Sequence, residues 1–343
     1  MQHQITQQGP LLKENGDLRE PGYAKSLLLN YDRSAIKAGK LRIKEWDYYL
    51  ITNPRFGVAL TIADNSYMGL DSVSFLHFEE VWEKTQSYMQ FLTLGGKKLP
   101  AGSQNGNVAS AGKHYAITFE RLADKRVLRF NADKFLSGKA ISGEIMLSEE
   151  PQESMVIATP FDKPGHFYYN QKINCLRAEG KVVLGSQVYS FDPRESFGVL
   201  DWGRGVWTYD NTWYWGSASG EVAGKTFGWN IGYGFGDTAA ASENMLFHDS
   251  KAHKLSQVRF NIPLDSAGKE DYLKPWTFSS DDGRFEMDFV PILDRSALTS
   301  LKLIESDQHQ VFGLFTGKAV LDDGEVVEVK DFLGFAEKVR NKW

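Results

Sequence analysis

From Phe227 to Phe235 large apolar side chains alternate with small or polar ones: Phe227, Trp229, Ile231, Tyr233 and Phe235 share one phase, Gly228, Asn230, Gly232 and Gly234 the other. Successive side chains of a strand point to opposite faces, so this pattern predicts a strand with a ribbon of bulky groups on one side and nearly bare backbone on the other. Glycine weakens a strand. Its recurrence on one face implies either the tight bend of a barrel strand or the close approach of a ligand, a packed ring or a crossing strand. The same period recurs at Phe56, Val58, Leu60 and Ile62, at Tyr115, Ile117 and Phe119, and at Phe285, Met287 and Phe289. Asp-Asp-Gly at 281–283 and 322–324 and Asn-Gly at 15–16 and 105–106 supply turns, and Ala223-Gly224-Lys225 reads as the tip of a hairpin. Many short strands without interleaved helices predict an antiparallel all-β protein. Phe78 to Leu92 is the best helix candidate, because Val81, Tyr88 and Leu92 recur at helical steps.

Acidic residues, prolines and a glycine interrupt the strand pattern from Glu149-Glu150-Pro151 through Pro160 to Pro164-Gly165, which places a domain boundary there. Two β-barrels are expected, at 18–155 and 160–343. A faint echo accompanies the division: Trp46-Asp-Tyr-Tyr leads to Phe56-Gly and a strand ending at Asp64, and Trp213-Tyr-Trp leads to Phe227-Gly and a strand ending at Asp237. Six of the nine tryptophans (Trp202, Trp207, Trp213, Trp215, Trp229 and Trp276) cluster in the second half, where Trp343 also ends the chain, against Trp46 and Trp82 in the first, which directs the search for chemistry there. A net charge of −5 with no basic run argues against a nucleic-acid or anionic-membrane partner. Cys175 is the sole cysteine, so no intramolecular disulfide forms. The Gln-rich opening has no signal-peptide pattern and no apolar run reaches membrane-spanning length, so a cytoplasmic setting without stable membrane insertion is expected.

Standard catalytic signatures are missing. Gly216-Ser-Ala-Ser-Gly has alanine where a nucleophile elbow needs serine, and Gly232-x-Gly234-x-Gly236 is one residue short of a dinucleotide fingerprint. His248 and His253 are five apart, which suits neither a helical nor a strand face, and one cysteine builds no thiolate zinc site; neither metal nor cofactor is expected. The densest polar constellation is Asp201-Trp202-Gly203-Arg204-Gly205-Val206-Trp207. Its glycines suggest a sharp bend that brings Asp201 onto Arg204, either as a buried acid with an orienting partner or as a salt bridge stapling a turn. Asp237, Ser242, Glu243 and Asn244 follow the glycine-faced strand and are expected at its mouth, with capping of a short turn as the simpler account. Asn170, Lys172 and Asn174 alternate with Tyr169, Ile173 and Cys175, and line either a cavity or the solvent face.

Tyr168-Tyr-Asn-Gln-Lys-Ile-Asn-Cys, Asp201-Trp-Gly-Arg-Gly-Val-Trp, Gly228-Trp-Asn-Ile-Gly-Tyr-Gly-Phe-Gly-Asp, Ser242-Glu-Asn and Phe335-Ala-Glu-Lys-Val-Arg-Asn-Lys-Trp resemble a bacterial domain-of-unknown-function family from about Gly16 to Trp343. More distantly the chain is similar in architecture to hydroxyneurosporene synthase and tocopherol cyclase, double-lipocalin proteins that protonate or cyclise alkenes of lipophilic isoprenoids. The resemblance implies two lipocalin-like antiparallel barrels packed together, with an apolar, aromatic-lined cavity in the second or between them. It also implies a cofactor-free, acid-catalysed hydratase, isomerase or cyclase for a hydrophobic small molecule, since alkene protonation needs a buried carboxylic acid and rings that stabilise a cation. Asp201 or Glu243 is the expected donor and Arg204 its partner. Trp207, Trp215, Trp229 and Tyr233 are the expected walls, and Asn170, Lys172, Asn174, Asn230 and Asn244 the polar contacts. A non-catalytic carrier of a lipophilic ligand needs the cavity but no acid, and a carbohydrate-binding protein would use the same rings as stacking platforms.

Overall fold

The computed structural model describes residues 2–301 and 304–342; Trp343, which ends the last motif above, lies outside them. Among the described residues the chain is all-β, with two short 3-10 turns, and builds two large sheets, one of thirteen strands and one of nine. Every pairing within these two sheets is antiparallel. Each sheet curls around its own apolar core as a half-barrel, and two smaller clusters, rich in aromatic residues, join the sheets face to face.

The chain leaves the first sheet at Val206 and enters the second at Asp210. Strands Phe167–Leu184 and Phe197–Val206 pair with each other, and the latter with Ile43–Thr52, so both belong to the first sheet. The expected boundary near 155–160 is thereby corrected: the prolines and acids of 149–165 flank strand Met155–Pro160, which pairs inside that sheet. The helix expected over Phe78–Leu92 is instead strand Trp82–Phe91. Trp82 and Tyr88 share the inward phase, while Val81 and Leu92 sit at positive φ (54° each) at its two ends. Their helical spacing arose from turn residues.

Parity then decides what reaches the seam between the sheets. Phe227, Trp229 and Ile231 fill the second core, with Trp276, Phe278, Phe289 and Phe315 packed around them. The glycine face looks the other way: a Cβ on Gly228 would lie 2.9 Å from the Cys175 sulfur of the crossing strand, and one on Gly232 would lie 2.7 Å from a Glu243 carboxyl oxygen. Strand Phe167–Leu184 places Phe167, Tyr169 and Ile173 in the first core and Tyr168, Asn170 and Lys172 at the seam. A bulge between Ile173 and Leu176, with Cys175 at φ 62°, then turns both Asn174 and Cys175 toward the second sheet. The two segments of the sequence echo are hairpins, and their tryptophans, Trp46 and Trp213, both meet Trp207, at 5.3 and 5.9 Å.

Gly203 lies opposite Trp46 on the neighbouring strand, and its bare backbone receives the indole: a Cβ there would sit 1.9 Å from the ring. Gly203→Val is therefore expected to displace Trp46 from its stack on Tyr168 (6.1 Å between centroids). The overpacking should cost about 1–3 kcal/mol, read as a lowered denaturation midpoint together with a shift in tryptophan emission.

Candidate functional site

At the centre of the seam, strand Phe167–Leu184 and strand Phe197–Val206 bring Lys172 and Asp201 together as a registered pair, with Lys172 Nζ 2.8 Å from Asp201 Oδ1. Asn170 Nδ2 donates to the same carboxylate oxygen at 2.6 Å and to the Trp202 carbonyl at 2.8 Å, while its Oδ1 is buried without a partner. The ammonium of Lys172 also lies 3.7 Å from the centroid of Trp215, on the opposing sheet. One cation thus joins a carboxylate of the first sheet to a ring of the second, in a place where Lys172 and Asp201 retain only 3% and 7% of their surface. Burial at this level makes such contacts stronger than they are in water.

Trp215 Nε1 donates to Asn230 Oδ1 at 2.7 Å, and Asn230 Nδ2 in turn donates to the Glu243 carbonyl at 2.9 Å. Asn230 stands on the glycine face for this purpose, and the bare Gly232 beside it makes room for the Glu243 side chain. Glu243 is half-buried and its carboxyl is raised above the usual range, first by desolvation and further by Asp201, against the lowering influence of Lys172 and Asn230. The loop that carries it, residues 236–244, is fixed to the N-terminal segment through Gln2 and His3. Asp237 of that loop accepts from the Ala239 amide and serves as a turn cap.

A third carboxyl, absent from the sequence-based set, completes the cluster. Glu337 sits on strand Val326–Lys342 between Trp215 and Gln310 of its neighbouring strands. Trp213 Nε1 donates to its Oε1 and Gln310 Nε2 to its Oε2, both at 3.0 Å. Desolvation pushes this carboxyl up to about 7, against the hydrogen bond from Trp213 and the charges of Lys172 and Arg295, with Asp201 adding to the rise. Tyr168, facing the same acids, has its phenol pushed far up by burial and by Glu243, Asp201 and Glu337, so it remains a neutral hydroxyl. A signal was available: Phe335, Glu337 and Val339 alternate, and an acid in the apolar phase of a strand marks a buried charge.

Aromatic rings wall the cluster. Trp46 stacks on Tyr168, Trp207 meets Trp46, Trp213 and Phe235 edge to face, and Trp215 meets Tyr48 and Phe335 in the same way. Along the seam runs a narrow crevice of about 20 Å³ lined by Leu50, Val199, Ala218, Phe312 and Phe335, room for little more than one water. The expected aromatic-lined cavity in the second barrel is filled by side chains instead.

Asp201, Asn170, Lys172, Trp215, Asn230 and Glu243 of the expected set therefore converge, with Trp207 in the adjoining wall. The rest do not. Asp201 and Arg204 lie three apart on a continuous strand and so face opposite ways: Arg204 points into the first half-barrel, where Nη1 donates to Asp47 Oδ1 at 3.0 Å and to the Trp46 carbonyl at 2.7 Å. The flanking glycines make no bend; Gly203 receives the Trp46 ring and Gly205 approaches the Phe167 carbonyl. Trp229 is in the second core, and Tyr233 stacks on Tyr214 at its edge. Asn174 Nδ2 pins the sheets together through Ser217 Oγ and the Trp229 carbonyl. Asn244 closes its own loop, accepting from the Gly232 amide and donating to the Ser256 carbonyl.

Among the described residues no group of three or more metal-binding side chains is present, and no helix is long and apolar enough to cross a membrane. The fold is shared with solved structures at low identity. An AttH candidate from Nitrosomonas europaea superposes with a TM-score of 0.54 at 11% identity, covering 92% of this chain and 96% of that one. Kievitone hydratase from Nectria haematococca gives a TM-score of 0.54 at 11% identity, covering 98% of each chain. No curated protein matches the sequence. A family model matches residues 2–343, and the chain accordingly belongs to DUF2804, a domain of unknown function.

Proposed function

We propose that the seam between the sheets is an acid–base active site that hydrates, isomerises or cyclises an apolar, alkene-bearing small molecule without a cofactor. The observation that carries this reading is the gathering of acids: three carboxyls, Asp201, Glu243 and Glu337, share a buried, ring-walled space in which Lys172 is bonded to Asp201, while Lys254 acts on Glu243 and Arg295 on Glu337 without ion-pairing to either. Burial and like charge together favour a retained proton on Glu243 and Glu337, and a retained proton is the reagent that alkene chemistry needs. Asp201, fixed by Lys172 and Asn170, serves as the anion that stabilises positive charge, and Trp215, against whose ring Lys172 rests, stands beside the pair. A hydratase among the fold neighbours gives this architecture a precedent, though not these residues. None of the three acids lines the narrow crevice, so this reading requires the sheets to part and open a path from the seam to the cluster. A reducing, cytoplasmic setting suits the single buried cysteine.

The test is native mass spectrometry of whatever molecule co-purifies, followed by incubation in deuterated, ¹⁸O-labelled water. Wild-type protein is expected to incorporate label, and Asp201→Asn and Glu243→Gln to retain the molecule with about 10²–10⁴-fold slower incorporation. A wild type that holds its ligand and never incorporates label is a carrier, and the catalytic reading falls. The tryptophans of the seam pack against one another rather than presenting open faces, which removes the support for a carbohydrate platform.

A further inference from the structure

We propose that Glu337 is the proton donor of this site, and that Trp213 and Gln310 are positioning residues that hold its carboxyl in place. The assignment deepens the acid-catalysis reading and depends on it. Its basis is the difference among the three acids. Asp201 is ion-paired with Lys172, and Glu243 stands on a loop and is only partly buried as a residue. Glu337 stands on a central strand of the second sheet, paired on both sides, and retains 8% of its surface.

Each Glu337 oxygen receives one neutral N–H donor, and among the described residues no lysine or arginine forms an ion pair with it. The groups that act on it across the seam are Lys172, Asp201 and Tyr168 from the first sheet, with Arg295 from its own sheet; Glu243 of the loop acts on the same Tyr168 and is itself held down by Lys172 and Lys254. Lys172 is committed to Asp201, and Arg295 donates to Ser74 Oγ and reaches Glu337 only through Tyr48 and Gln310. Glu337 and Glu243 alike lack an ion-pair partner among the described residues; Glu337 differs in standing on a central strand with two donors at 3.0 Å on its carboxyl, where Glu243 has one at 3.5 Å. Trp213 holds Oε1 and Gln310 holds Oε2, so the carboxyl plane is fixed beside the Trp215 strand position, as a donor that must meet one carbon atom requires.

The step balances without an added reagent beyond water. The alkene π pair takes the Glu337 proton, forming a C–H bond and leaving a carboxylate. The cation lies against the indoles with Asp201 nearby. A water lone pair then forms the C–O bond, and the proton it releases returns to Glu337, restoring the donor.

Infrared difference spectra of the substrate-free protein test the protonation independently of any turnover. A protonated-carboxyl band near neutral pH is expected in wild type, Asp201→Asn and Glu243→Gln, and Glu337→Gln is expected to lose one component of it, any remainder belonging to Glu243 and Asp47, which burial raises in the same direction. A band undiminished in Glu337→Gln overturns the assignment. Trp213→Phe leaves Glu337 in place and removes a donor that favours the carboxylate, so the band should titrate at higher pH; an unmoved titration refutes the positioning role. In the labelled-water assay, Glu337→Gln is expected to lose about 10²–10⁴-fold of incorporation. If Glu337→Gln incorporates label at the wild-type rate, another acid is the donor while acid catalysis stands. If wild type itself incorporates none, the site reading and the donor fall together.

Discussion

Replacing Arg204 by methionine is expected to lower folding stability by about 3–5 kcal/mol, the usual consequence of leaving a buried charge without its partner. Arg204 is fully buried, and its guanidinium donates to the carbonyls of Trp46 (2.7 Å), Gly203 (2.8 Å) and Pro100 (2.8 Å) and to Asp47 Oδ1 (3.0 Å). It also stacks over Trp202, 4.3 Å from the ring. Desolvation already raises the Asp47 carboxyl and Arg204 is the main influence holding it down, so the variant should drive Asp47 to take up a proton. Chemical denaturation at neutral pH measures the loss. The double variant Arg204→Met with Asp47→Leu should recover part of it, because the orphaned charge goes as well. Since Arg204 faces the first half-barrel and the Lys172–Asp201 pair faces the seam, the double variant, which has no Asp47 carboxyl to contribute a band of its own, should keep the infrared carboxyl component assigned above to Glu337. A variant of normal stability that lost the band would return Arg204 to the acid cluster and refute its placement as a structural residue.

That contrast shows how far strand arithmetic alone carries a reading of this chain. Alternation from Phe227 to Phe235 identified a strand, and its glycines signalled close approach, which the crossing strand at Cys175 and the Glu243 side chain supply. The same parity rule, applied to Asp201 and Arg204, places them on opposite faces; the salt bridge expected between them came from treating the flanking glycines as a bend. Those glycines exist for their neighbours, an indole and a carbonyl, and such neighbours belong to other strands and cannot be read locally. The boundary near 155–160 was misplaced for a related reason. Prolines and acids mark a break in pairing, but a hairpin connection and an interdomain linker look alike until the register of Phe167–Leu184 against Phe197–Val206 is known. Glu337 was legible in principle from its apolar phase. What the sequence withheld was the convergence of Lys172, Asp201, Glu243 and Glu337, which come from four separate segments and meet only because two sheets pack face to face.

Glu337 should also leave a signature in the pH dependence of stability. Its folded value of about 7 stands above the ordinary 4.5, so the folded state holds this proton more tightly than the unfolded chain. Below 4.5 both states are protonated and the site carries no penalty. As pH rises toward 7 the unfolded chain releases its proton and the folded one retains it, so stability falls by about 1.4 kcal/mol per pH unit, near 3 kcal/mol in total, and levels off above 7. Glu337→Gln removes this slope. The stability difference between variant and wild type should therefore move in favour of the variant by about 3 kcal/mol between pH 4.5 and 8, whatever constant offset the amide introduces. Glu243, raised in the same direction, remains in both proteins and cancels. Lys44 and Lys254, whose amines burial pulls down to about 7, add stability with rising pH only above that value and cancel likewise. Urea midpoints across this range, at low and at high salt, give the measurement. A buried carboxyl predicts a difference curve that salt scarcely alters, whereas parallel curves for the two proteins would mean that Glu337 ionises as it does in an unfolded chain, and its place as a stored proton would be lost.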